Sequence, residues 1–95
     1  MRVTKEHLEN QVELLNEFTN QPKKTWIKDK SGKFLSNIGN YHISGAYGGF
    51  KLEQIANENG GVREITNYRM TKRELYYVLH SMNNVLRQEK TEGKR

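Results

Sequence analysis

Ninety-five residues with no cysteine, one proline, 34% hydrophobic residues and a formal net charge of +5 leave room for one domain with a thin core and exclude disulfide bracing and thiolate metal sites. No apolar run approaches the ~18 residues of a membrane span, and the N-terminus lacks the apolar stretch of a secretory signal. The expectation is therefore a soluble intracellular protein, a single domain over 1–95 with frayed termini at 1–4 and 89–95, for which self-association is a natural way to bury more surface.

In chain order, Leu8, Val12, Leu15 and Phe18 recur at helical spacing behind Thr4, a good N-cap, which predicts an amphipathic helix over 5–19. Pro22 follows its end. Trp26-Ile27 and Phe34–Ile38 flank the polar turn Asp29-Lys30-Ser31-Gly32, the pattern of a β-hairpin. Tyr41–Ala46 alternates as a strand. Phe50–Ile55 reads as a strand or a short helix, because Leu52 and Ile55 are also three apart. The Asn57–Gly61 turn leads to a short strand over 62–67. Thr71-Lys72-Arg73-Glu74 is a capping box, with Met70 and Leu75 at the staple positions, and opens a helix over about 72–88 whose stripe is Leu75, Val78, Leu79, Met82, Val85 and Leu86. The predicted class is α+β: an N-terminal helix, three to four short antiparallel strands, and a C-terminal helix packed on the sheet.

The charge is unevenly spread. Residues 1–20 carry a net −2, 21–33 a net +4, 34–62 a net −1, and 63–95 a net +4. The nearly neutral middle holds six of the eight glycines.

Catalysis has little to draw on. His7, His42 and His80 fall in separate elements, Asp29 is the only aspartate, and no serine sits in a nucleophile elbow. A His42 or Glu58 general base in a self-assembled site is what remains of an enzymatic reading. A non-enzymatic role is expected, with no cofactor and no metal.

Three constellations point to ligands. Asn40, Tyr41, His42, Tyr47, Gly48 and Gly49 combine neutral hydrogen-bonding groups, stacking rings and close-approach glycines, which suits a planar polar ligand such as a purine. Turns and a small core use the same residues. Arg69, Lys72 and Arg73, with Arg63, place cations where a helix's first turn prefers acids, a pattern suited to phosphate or to a solvated basic patch. Lys23, Lys24 and Lys28 around Trp26 form a basic aromatic hairpin suited to nucleic acid, or to the wet face and guarded edge of a strand.

Asn37-Ile-Gly-Asn-Tyr-His42, Ala46-Tyr-Gly-Gly49, Asn57-Glu58 with Gly60-Gly61, and Thr71-Lys-Arg-Glu-Leu-Tyr76 resemble the recurring blocks of a family of small, mostly uncharacterised accessory proteins encoded by tailed bacteriophages. The likeness spans roughly 8–86. It implies a phage accessory protein in the bacterial cytoplasm, with host takeover or anti-defence as the setting, and brings no catalytic or binding residues with it. The leading expectation is capture of a phosphate-bearing nucleotide or nucleotide signal, across a homo-oligomer interface. The alternatives are nucleic-acid binding by the hairpin and protein-protein inhibition of a host enzyme.

Overall fold

The computed structural model describes residues 2–92. The order is α1 (Lys5–Phe18), β1 (Trp26–Lys28), β2 (Phe34–Ser36), β3 (Tyr41–Ala46), β4 (Gly49–Ile55), β5 (Val62–Glu64) and α2 (Lys72–Glu92). This is the expected α+β architecture, with five strands in two antiparallel sheets instead of three to four: β1-β2, and β3-β4-β5.

Each helix begins as its sequence dictates. Thr4 caps α1 by accepting from the His7 backbone N–H at 3.3 Å, and the His7 ring accepts from the Thr4 N–H at 3.1 Å. The reciprocal bond thus comes from a histidine in place of the usual Glu or Gln. Thr71 and Glu74 form the predicted capping box of α2, at 3.0 and 3.1 Å. α2 continues to Glu92, so residues 89–92 of the stretch expected to fray are helix, while 93–95, like residue 1, lie outside the described ones. At the other end, Val3 packs on the core.

Both helices lie on one face of the three-stranded sheet. Leu8, Val12 and Leu15 of α1, Leu75 and Leu79 of α2, Leu52 of β4 and Met70 form one buried cluster, with Tyr41, Ile43 and Phe50 against it. This settles the open reading of 50–55 as a strand. Leu52 lies in this cluster at 0% exposure, and Ile55, at 5%, points to the opposite face of β4, as the odd spacing requires. Val85 departs from its predicted place in the α2 stripe and is 55% exposed. β5 stops at Glu64, earlier than predicted, because the ladder is replaced by a side chain: Thr66 Oγ1 accepts from the Leu52 N–H at 3.1 Å.

α1 is also sewn to the sheet by a polar residue. Asn16, 1% exposed, accepts from the Tyr41 N–H at 2.8 Å and donates to the Tyr41 carbonyl at 3.0 Å. Its carboxamide occupies the place of one peptide unit of a neighbouring strand. The β1-β2 hairpin stands outside this core and is tied back at its base, where the Ser36 N–H donates to the Glu58 carbonyl at 3.4 Å and the Asn37 side chain donates to the Lys24 carbonyl at 3.0 Å.

Candidate functional site

The hairpin owes its shape to Asp29. One carboxylate oxygen accepts from the Ser31 N–H (2.9 Å), the Ser31 hydroxyl (2.7 Å) and the Lys33 N–H (2.9 Å), while Gly32 takes a φ of +88° that L side chains avoid. The Ser31 hydroxyl, followed by the backbone N–H groups, holds the Asp29 carboxyl below its ordinary pKa. The segment's one carboxylate is thus held ionised within the turn, and of its lysines Lys23 approaches Glu13 of α1 at 3.9 Å.

The register Trp26↔Ser36, Ile27↔Leu35, Lys28↔Phe34 puts Trp26, Lys28 and Phe34 on one face, with Trp26 and Phe34 diagonal neighbours. Their ring centroids are 4.9 Å apart at 53°, and the Lys28 ammonium lies 5.6 Å from the Phe34 centroid. Both rings stay open to solvent, Trp26 at 56% and Phe34 at 58%. They border a groove of about 450 Å³ lined also by Lys23, Lys24, Thr25 and Ile27, with no acidic side chain in its wall. All four residues assigned to a nucleic-acid surface from sequence therefore meet in one groove, and Phe34 joins them.

The residues assigned to a nucleotide are split between two places. Asn40, Tyr41 and His42 line a cleft of about 420 Å³ beside α1, whose other walls include Lys5, Glu9, Glu13 and Lys23. Asn40 donates to the Pro22 carbonyl at 2.7 Å, and His42 Nε2 lies 3.3 Å from Glu53. Asn40 Oδ1 and His42 Nδ1 lack a hydrogen-bond partner and are sealed from solvent, so a ligand in the cleft does not reach them. Two lysines against two glutamates make the cleft neutral, which is poor ground for phosphate.

Tyr47, Gly48 and Gly49 sit at the opposite end of β3, about 17 Å away along the strand. Tyr47 is fully exposed. Gly49, at φ +124°, allows the backbone of Phe50 and Met70 to pair at 2.7 and 2.8 Å; a Cβ there would lie 2.5 Å from the Met70 carbonyl. Arg69 joins this end but is engaged: its guanidinium donates to the carbonyls of Ser44 (3.0 Å) and Gly49 (3.2 Å) and to the Ser44 hydroxyl (3.4 Å). Lys72 and Arg73 are exposed nearby at the start of α2. Of the N–H groups there, those of Thr71 and Glu74 are served internally by the capping box, and the Thr71 backbone N–H holds the Glu74 carboxyl below its ordinary pKa. Arg63 stands apart on β5, hydrogen-bonded to Gln54, four positions along β4 from the Phe50–Met70 bridge, roughly 13 Å.

Among the described residues no three His, Asp or Glu side chains converge as a metal site, and no helix is long and apolar enough to cross a membrane. Comparison with family models, curated proteins and solved structures returned no match.

Asn16 is the residue that sequence reasoning missed. A signal was present, since it follows Leu15 and lies four residues after Val12, inside the apolar stripe. A polar residue at such a position has to find a buried partner.

Proposed function

We propose that this protein binds single-stranded nucleic acid through the β1-β2 hairpin, as a phage accessory protein acting in the bacterial cytoplasm. One observation carries the proposal: two aromatic rings more than half exposed share a groove with three lysines and no carboxylate. The exposed parts of the two rings offer stacking surface to bases, while Lys23, Lys24 and Lys28 follow the phosphates. Stacking is tolerant of sequence because every base has a π face. The role is one of binding without catalysis.

Trp26 is the only tryptophan of the chain, so its fluorescence reports directly on the groove. Titration with a short single-stranded oligonucleotide is expected to quench it saturably, and three phosphate contacts predict a log–log salt slope of about −2. An unchanged Trp26 emission at low salt, in a folded sample, overturns the proposal.

Capture of a mononucleotide is the second reading, favoured by the gathering of Tyr47, Gly48, Gly49, Lys72 and Arg73 at one end of the molecule. It predicts calorimetric binding of nucleotides that survives changes at Lys23, Lys24 and Lys28 and is lost in Tyr47→Ala.

A further inference from the structure

The three-stranded sheet has two edges, and only one is guarded. β5 is three residues long and carries Arg63 and Glu64, the short, charged edge by which proteins discourage pairing. β3 is six residues long, Tyr41-His-Ile-Ser-Gly-Ala46, with no proline, lysine or carboxylate. Its register with β4 and the bond from the Ile55 N–H to the Asn40 carbonyl turn the backbone groups of the even residues toward β4 and those of Tyr41, Ile43 and Gly45 outward. Asn16 satisfies Tyr41. Ile43 and Gly45 continue the same edge beyond the point where Asn16 stops.

We propose that this edge is covered by the β3 strand of a second copy of the chain, giving a two-fold dimer with one continuous six-stranded sheet. The register follows from the free groups. Pairing Ile43 with Gly45 of the other copy, and Gly45 with its Ile43, uses each outward N–H and carbonyl once and forms four ladder bonds. A shift in either direction loses bonds, because it calls on Tyr41, already held by Asn16, or on Tyr47 in the turn. The dyad then passes through Ser44, which faces its own copy in a non-hydrogen-bonded pair. Large residues fall opposite small ones, Ile43 against Gly45 and His42 against Ala46, with no charge in the seam.

The helix flanking the edge agrees with this symmetry. Lys5, Glu9 and Glu13 recur every four residues along one side of α1 and line the cleft beside β3. Around the dyad the two stripes run antiparallel, which directs Lys5 of one copy toward Glu13 of the other. The cleft's fourth charge, Lys23, already approaches Glu13 at 3.9 Å. A dimer also adds apolar burial to a chain whose core is small.

The natural chain has no cysteine, so a single introduced thiol tests the register. In a non-hydrogen-bonded antiparallel pair the Cα atoms lie about 4.5 Å apart, within disulfide range. Under mild oxidation Ser44→Cys is expected to form a covalent dimer far faster than Ser31→Cys on the hairpin turn or Ala46→Cys off the dyad. Sedimentation of the unmodified chain is expected to give twice its 11.2 kDa mass. A monomer across the micromolar range overturns the proposal, whether bare or carrying a foreign peptide. So does a dimer in which Ser44→Cys cross-links no faster than the two controls.

Discussion

The β1-β2 and β3-β4 hairpins are built alike and used differently. Each is an antiparallel pair closed by a turn with a positive-φ glycine, Gly32 in the first and Gly48 in the second. Every residue of β1 is exposed, whereas β4 buries Leu52 and Ile55 and carries both helices on one face. The same local geometry thus serves as a scaffold where its apolar residues find partners in other elements. Where they find none, it leaves its aromatic rings open to solvent, the kind of surface on which the proposed binding rests.

Changes in the two hairpins should therefore separate stability from binding. The largest loss is expected for Leu52→Ala, which empties the centre of the cluster and should cost about 2–5 kcal/mol in urea unfolding. An equal loss from Trp26→Ala would erase the distinction between the hairpins. Asn16→Ala leaves the Tyr41 backbone groups unpaired, and a cost of about 1–3 kcal/mol is expected. Hydrogen exchange should show it first as faster exchange of the Tyr41 amide.

For Trp26→Ala, nucleic-acid affinity should fall by about 1–3 kcal/mol, roughly 5- to 150-fold, with the unfolding midpoint close to that of the unaltered chain. Binding is then followed by anisotropy of a labelled oligonucleotide. The smallest effect concerns pH. Asp29 and Glu74 have carboxyls held below their ordinary values by the hydrogen bonds they accept, so their contributions are complete above the ordinary carboxylate range and decline as the pH falls through the depressed values. Acid should loosen the hairpin turn and the start of α2 while the core cluster, which contains no titrating group, keeps its amide protection. Two-dimensional NMR from pH 7 downward distinguishes this local loosening from a single global transition.

Both helices, the two glycine turns and the α+β class were legible because each rests on short-range rules. Thr4 and Thr71 cap, Asp29 and Gly32 turn, and the apolar residues of both helices repeat at 3.6. The division of the strands into two sheets was not legible, since Trp26, Ile27 and Phe34 have the composition of a core strand and only the absence of a facing helix exposes them. Among the candidate residues, Lys23, Lys24, Trp26 and Lys28 lie within six positions and could be seen together in sequence. The nucleotide set drew on residues from Asn40 to Arg73, 33 positions apart, and β3 turned out to separate its halves. Arg69 looked like a free cation, but its partners Ser44 and Gly49 are about twenty or more positions away in the chain.

What the sequence by itself determined is local: where helices start, where the chain turns, and where positive charge collects, all consequences of hydrogen bonds and periodicities spanning a few residues. The tertiary structure alone decided which surfaces remain open. It buried Asn16 against Tyr41, engaged Arg69 in holding the β3-β4 turn, and left the β1-β2 rings more than half exposed and the outward backbone groups of Ile43 and Gly45 open on the β3 edge. Exposure is set by what packs against a residue from elsewhere in the chain, and no short window of sequence contains that information.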